Sequence, residues 1–79
     1  MAKIPIDAPV ERVIAALNIL GFVVVRPGNH IALARENSDG TRTTMTIPGH
    51  RFIKSSTLRT ALTLARIPRD EFVSAYQRT

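Results

Sequence analysis

The fold is decided by residues 21 to 62, which read G-F-V-V-V-R-P-G-N-H-I-A-L-A-R (21–35), D-G-T-R-T-T-M-T-I-P-G-H (39–50) and K-S-S-T-L-R-T-A-L (54–62). The β-branched run from Phe22 to Arg26 predicts a buried strand that ends at the turn residues Pro27-Gly28-Asn29. Alternation from His30 to Arg35 predicts a second strand. Asn37-Ser38-Asp39-Gly40 is a hairpin signal. A third strand is therefore expected from Thr41 to Ile47, with Pro48 at its end.

Two helices are predicted to flank these strands, and a short third helix follows. Asp7-Ala8-Pro9 predicts a helix start with Asp7 as the N-cap, and Gly21 predicts its end. Ser55 or Ser56 can cap the second helix. Pro68 is expected in the first turn of the third helix, with Asp70 and Glu71 near its positive end. The apolar stripes of the three helices are Val10, Val13, Ile14 and Leu17, then Leu58, Ala61, Leu62 and Ala65, then Phe72, Val73 and Tyr76.

The predicted order is therefore αβββα with an added helix, which is an α+β fold in one domain over residues 1–79. It has a three-stranded antiparallel sheet with the helices on one face. Period-two alternation puts His30, Arg42, Thr44 and Thr46 together on the opposite face, which should be open to solvent. The residues expected to be buried behind that face are Val13, Leu17, Leu33, Met45, Leu58 and Leu62.

The composition limits the classes of function. The chain has 79 residues, of which 11 are Lys or Arg and 6 are Asp or Glu, giving a net charge of +5. This charge favours a polyanionic partner such as nucleic acid, although it can also serve only solubility. The absence of cysteine excludes disulfides and thiolate metal sites and favours a cytoplasmic location. No apolar run approaches the ~20 residues that cross a bilayer, so no membrane association is expected.

The order of these motifs resembles the HicA (YcfA-like) family of small bacterial toxins, from about Val10 to Phe72. Its most specific parts are the step Gly28-Asn29-His30 and the stretch from Ile47-Pro48-Gly49-His50 to Thr57-Leu58-Arg59. The resemblance implies a double-stranded-RNA-binding-domain-like fold and an mRNA interferase activity. It also implies a HicB-like antitoxin protein that holds the nuclease inactive. The sequence departs from the family at Ala32 and Ala34, where many members carry Lys or Arg.

The resemblance implies that His30 is the catalytic residue, because the family's histidine follows a Gly-containing turn at the start of the second strand. Family members usually have Ser in this turn, where the present chain reads Pro27-Gly28-Asn29. An imidazole can give or take a proton at neutral pH, as cleavage of RNA by its own 2′-hydroxyl requires. Chemistry alone favours a surface histidine with no role at His30, and it is the resemblance that reverses this interpretation.

Further residues are expected to bind the substrate. His50 matches a histidine that family members often carry after the third strand, although it could simply bond within its loop. Arg51 and Lys54, with the N–H groups of residues 55–57, predict a phosphate-binding corner at the start of the second helix. The expected substrate-binding residues are Gly28, Asn29, Arg42, His50, Arg51, Lys54 and Arg59. The other basic residues along the chain, each of which could merely be solvated, include Arg26, Arg35, Arg66 and Arg69.

The resemblance thus implies a ribonuclease that cuts messenger RNA, and the residue types present predict that it uses no metal or cofactor. The sequence contains no carboxylate pair at catalytic spacing, no cluster of metal ligands and no Gly-rich phosphate loop, and these motifs are typical of metal-dependent and P-loop hydrolases. Two alternatives remain open. One is a non-catalytic RNA-binding module of the same fold, which Ala32 and Ala34 favour. The other is a protein-interaction domain that lost its nuclease role.

Overall fold

The computed structural model of the protein describes residues 3–79. The elements are β1 (Asp7–Pro9), α1 (Val10–Ile19), β2 (Val23–Arg26), β3 (His30–Glu36), β4 (Arg42–Pro48), β5 (Phe52–Lys54), α2 (Ser55–Leu64) and α3 (Arg69–Gln77). None of the helices within residues 3–79 has the length and apolar character needed to cross a membrane.

The central sheet has the strand order β2-β3-β4, and both of its pairings are antiparallel. The turn from Asn37 to Gly40 closes the β3–β4 hairpin, and Gly40 has the positive φ of +86° that such a turn requires. The predicted α+β fold with a three-stranded antiparallel sheet is therefore confirmed. The sequence pattern missed a second, two-stranded sheet, in which β1 pairs antiparallel with β5.

The hydrophobic core lies between the central sheet and the three helices. It includes all six residues that the sequence predicted to be buried, and it extends from Ile4 to Tyr76. Phe22, Leu17 and Phe72 are among its largest fully buried side chains. Arg12 joins α3 to α1, because its guanidinium lies 4.0 Å from the centre of the Tyr76 ring and donates to the Tyr76 carbonyl.

The open face of the sheet carries the four polar residues that the alternation predicted. His30 pairs with Pro48, Ala32 with Thr46, Ala34 with Thr44, and Glu36 with Arg42, so these pairs share one face of the sheet. His30, Arg42, Thr44 and Thr46 are all exposed. Ala34, on the same face, is nevertheless buried, because its small side chain lies between those of its two cross-strand neighbours, Val23 and Thr44.

The first strand of the central sheet is not buried, which corrects the prediction for Phe22 to Arg26. Phe22 itself is fully buried but precedes the strand. In β2, the side chains of Val23, Val24 and Val25 are 59%, 39% and 51% exposed. A run of β-branched residues shows that a strand forms, but it does not show whether another element covers that strand. Here β2 lies at the edge of the sheet.

The predicted helix starts are also wrong in detail. Asp7 lies in β1, Pro9 and Lys54 occupy the N-cap positions of α1 and α2, and neither helix has a side-chain cap. Backbone groups satisfy the first N–H donors instead: Val10 donates to the Arg51 carbonyl and Ser55 to the Ile6 carbonyl, both at 2.9 Å. Pro68 is the N-cap residue of α3 and lies just before its first turn, while Asp70 and Glu71 occupy that turn as predicted.

Candidate functional site

Two loops that carry candidate residues are joined through their backbones. The turn Gly28-Asn29 precedes β3, and the loop Gly49-His50 follows β4. The Gly49 N–H donates to the Asn29 carbonyl at 2.7 Å. A Cβ atom at Gly49 would overlap the Gly28 carbonyl oxygen and lie 3.0 Å from the Asn29 carbonyl oxygen, so only glycine fits there. This contact keeps the loop of His50 against the turn that leads to His30.

His30 lies beside a groove between β4 and α2 with a volume of about 440 Å³. The sheet contributes His30, Thr46 and Pro48, and α2 contributes Ser56, Thr57, Thr60 and Leu64. These residues define the His30 groove. It is open to solvent, has hydroxyl groups along its walls and has an apolar end at Leu64. An imidazole at the rim of such a groove can exchange protons with a bound molecule.

The start of α2 gives one end of the His30 groove a positive character. Ser56 and Thr57 line the groove and lie in the first turn of the helix, where backbone N–H groups point outward. That turn contains no acidic residue, whereas α1 has Glu11 and α3 has Asp70 and Glu71 in theirs. Because Ser55 already donates to Ile6, the predicted phosphate corner can draw only on the N–H groups of Ser56 and Thr57.

Arg26 is a neighbour of His30 that sequence reasoning did not include among the site residues. Strict alternation from Val24, which pairs with Leu33 on the core face, would also turn Arg26 towards the core. A bulge at Val25 shifts the register, so that Arg26 pairs with Ala32 and lies on the open face. Ala32 is two residues from His30 along β3, which is about 7 Å. A cationic residue therefore lies beside Ala32, in the adjacent strand.

Other candidates lie away from His30. Arg42 pairs with Glu36 at the far end of the hairpin, six residues along β3 from His30, which is about 20 Å. Its guanidinium is 3.8 Å from the Glu36 carboxylate, and both side chains are exposed. Arg59 is exposed on α2 but does not line the His30 groove. Arg35 is partly buried, packs over the Phe22 ring and donates to the Leu20 carbonyl, so its guanidinium is held against the outside of the core.

The remaining candidates follow Gly49 in sequence, between the end of β4 and the start of α2. His50, Arg51 and Lys54 are exposed, and the last two precede α2 as predicted.

Within residues 3–79, no three His, Asp or Glu side chains gather as they would to hold a metal ion. The pKa of Asp39 is lowered by hydrogen bonds from the Thr41 hydroxyl and the Thr41 N–H, but this carboxylate lies in the β3–β4 turn, far along the sheet from His30.

The described fold agrees with a comparison against known families. A family model described as the HicA toxin of bacterial toxin–antitoxin systems matches residues 10–67, which is most of the chain. The chain belongs to the HicA toxin family. The match runs from α1 through all three strands of the sheet to the end of α2, so it contains His30, His50 and the groove. Searches of curated proteins and of solved structures returned no significant match.

Proposed function

We propose that this HicA-family toxin is a metal-independent endoribonuclease that cuts messenger RNA, with His30 as its general acid or base. The observation that carries the proposal is the exposed imidazole of His30 at a groove whose other wall is the N-terminal turn of α2. The family match covers His30 and the residues of α2 that line the groove, which supports placing the activity there. The net charge of +5 favours a nucleic acid as that target.

The proposed reaction is attack of a ribose 2′-hydroxyl on the adjacent phosphorus. The hydroxyl loses its proton, the P–O5′ bond breaks, and the departing 5′ oxygen takes up a proton, leaving a 2′,3′-cyclic phosphate. His30 would transfer one of these protons. The charge that builds on the phosphoryl oxygens would be stabilised by Arg26, Arg51 and the N–H groups of Ser56 and Thr57. His50 would contact the phosphate or orient the strand.

A partner protein follows from the family, since a toxin of a toxin–antitoxin system is paired with an antitoxin. We propose that the partner is a HicB-like antitoxin that covers the His30 groove and so excludes RNA. The groove suits such a cap because it is open and ends at Leu64, whose side chain is 80% exposed. Both partners would act in the cytoplasm, where messenger RNA is translated.

The test is the cleavage rate of purified wild-type protein and of His30→Ala on an RNA substrate. We expect His30→Ala to lower the rate by ~10²–10⁴-fold, as loss of a general acid or base does. Its urea unfolding midpoint should stay unchanged, because the side chain is exposed. Cleavage by wild type should survive EDTA, because the proposed mechanism uses no metal ion.

His50→Ala serves as the matched control, since it removes an exposed histidine from the adjoining loop. We expect it to lower the rate less than His30→Ala does. Full cleavage by folded His30→Ala, or loss of cleavage in EDTA, would refute the mechanism. If the wild type binds RNA without cutting it, and His30→Ala arrests bacterial growth as well as the wild type does, the non-catalytic RNA-binding module is the better description.

A further inference from the structure

The aromatic residues of the chain divide sharply by exposure. There are three phenylalanines, one tyrosine and no tryptophan. Phe22 and Phe72 are fully buried and Tyr76 is buried beside Phe72, whereas the side chain of Phe52 is 54% exposed. Phe52 is therefore the one aromatic side chain among residues 3–79 that is exposed enough to stack against a ligand.

Phe52 does not support the core from its position in β5. Ile53, the next residue, fills the core and is only 1% exposed, and alternation along the strand turns Phe52 and Lys54 to the opposite side. The cross-strand partner of Phe52 is Pro9, which is only partly buried. The ring therefore stands on the outer side of the small sheet, with Arg51 before it in sequence and Lys54 on its own side.

A second groove of about 250 Å³ adjoins this ring. It is lined by Pro9, Val10, Glu11, Arg51 and Phe52, and these residues define the Phe52 groove. The part of the groove near Val10 and Glu11 does not suit a phosphate. The Val10 N–H is already bonded to the Arg51 carbonyl, and the Glu11 carboxylate is negative. A flat ring with N–H donors on its edge suits it better: Phe52 offers a stacking face and Glu11 an acceptor.

The Phe52 groove and the His30 site are connected by a short stretch of the chain. Gly49 bonds to Asn29 beside His30, and only His50 and Arg51 separate Gly49 from Phe52. Arg51 thus lies in sequence between the loop at His30 and the ring of Phe52, and Lys54 follows two residues later on the same side of β5. Alternation of cations with an aromatic face is typical of surfaces that bind single-stranded nucleic acid.

We propose that Phe52 is a stacking platform for an unpaired RNA base that flanks the cleaved phosphate, with Arg51 and Lys54 contacting phosphates on either side. This inference rests on the proposed function, because it assigns a further binding site to the same substrate. It adds a recognition element outside the His30 groove, and it assigns a role to the exposed ring of Phe52. A protein segment covering the ring is the competing occupant, and the experiment below separates the two.

The experiment measures binding of a dye-labelled single-stranded oligoribonucleotide by fluorescence anisotropy, with His30→Ala as the parent so that the RNA stays intact. Phe52→Leu keeps an apolar side chain but removes the aromatic face. We expect its affinity to fall about 5- to 150-fold, the cost of losing one stacked base. The salt dependence should keep its slope, because stacking releases no counterions. Ile19→Ala, at the opposite end of α1 and 41% exposed, should bind as the parent does.

A second variant, Phe52→Trp, reports on the contact itself. It would contain the only tryptophan of the chain, so its fluorescence belongs to that position alone. We expect RNA to bind as tightly as to the parent and to quench this fluorescence, because the indole keeps the stacking face. A structural role for Phe52 would not produce quenching by RNA.

The outcomes distinguish this inference from the proposed function. If the parent binds RNA and Phe52→Leu binds it equally well, the platform is refuted while the ribonuclease proposal stands. If the parent binds no RNA, both are refuted. If Phe52→Leu leaves RNA binding intact but weakens binding of the antitoxin, the ring belongs to a protein interface and the platform is refuted. Weakened RNA binding by Phe52→Leu together with quenching of Phe52→Trp supports the platform.

Discussion

At the scale of single residues, Gly49 holds the two loops of the candidate site together. Its N–H bonds to Asn29, and its missing side chain allows the Gly28 carbonyl to approach. The backbone φ of Gly49 does not lie in the left-handed region, unlike those of Gly21, Gly28 and Gly40. Glycine is therefore required here because there is no room for a Cβ atom, and not because of an unusual backbone conformation.

Gly49→Ala should lower the free energy of unfolding by about 1–3 kcal/mol, because the new methyl group collides with backbone atoms that cannot rotate away. It should also reduce RNA cleavage at temperatures where the variant is folded. The added methyl group forces the Gly49-His50 loop away from the Gly28-Asn29 turn, which leads to His30. Urea denaturation and a cleavage assay measure the two effects.

Gly40→Ala is the control for this prediction. It places alanine at a φ of +86° in the β3–β4 turn, where the added Cβ has no neighbour within 4 Å. It should cost about 1–2 kcal/mol of backbone strain and leave cleavage by the folded protein unchanged. Equal stability of Gly49→Ala and wild type would show that the loops have room to move apart.

At the scale of elements, α2 ends in an unfavourable residue. Arg66 has a φ of +58° and is the one non-glycine residue among residues 3–79 in the left-handed region. The N–H of Ile67 bonds back to the Leu62 carbonyl and that of Arg66 to the Thr63 carbonyl, which closes the helix. Glycine is the usual residue at this position of a helix end.

Arg66→Gly should raise the free energy of unfolding by about 0.5–1 kcal/mol, because relief of the left-handed strain outweighs the greater freedom that glycine gives the unfolded chain. Arg59→Gly, in the middle of α2 and equally exposed, should lower it by about 1 kcal/mol. Denaturant unfolding of both variants checks the pair. A loss of stability in Arg66→Gly would contradict the prediction.

The elements also show how far the sequence alone could lead. Periodicity placed His30 on the correct face because regular alternation holds through β3 and β4, and helical spacing identified the core. It could not show that β2 is an uncovered edge, since the valines would look the same in either position. The strands β1 and β5 were missed because each has only three residues. Arg26 was missed because a bulge changes which face a residue occupies.

Some features of the candidate site could likewise be predicted from the sequence, and others could not. The turn before His30 and the basic residues before α2 stood out from residue types alone. The groove itself could not be predicted, because it depends on how α2 packs along β4. The role proposed for Phe52 rests on its exposure, which residue types alone could not predict because β5 was not recognised as a strand. The roles assigned to these residues remain predictions, as does one domain over residues 1–79.

At the scale of the whole molecule, the net charge of +5 should make binding of RNA strongly dependent on salt. For a single strand, each phosphate contact contributes about 0.7 to the slope of log affinity against log salt concentration. Exchanging both Arg51 and Lys54 for Gln should therefore reduce the slope by about 1.4, if each side chain contacts one phosphate. Anisotropy titrations at several salt concentrations measure the slope.

The matched control is the double change of Arg69 and Arg78 to Gln. It removes the same net charge from exposed positions at the two ends of α3. We expect it to lower affinity slightly while keeping the slope, because these residues would act only through the general field of the protein. Equal slopes for both double variants would show that the corner before α2 contacts no phosphate.

The bulge at Val25 also affects how the outer edge of β2 could pair with strands of other molecules. If Val25 were deleted, Val24 and Arg26 would alternate regularly, and Arg26 would still pair with Ala32 on the open face. The extra residue is therefore not needed to present this cation. What it changes is the edge of the sheet, where a regular row of exposed valines would offer free backbone groups to strands of other molecules. By making that edge irregular, the extra residue interrupts the row of backbone groups that an uncovered apolar strand would otherwise offer to a strand of another molecule.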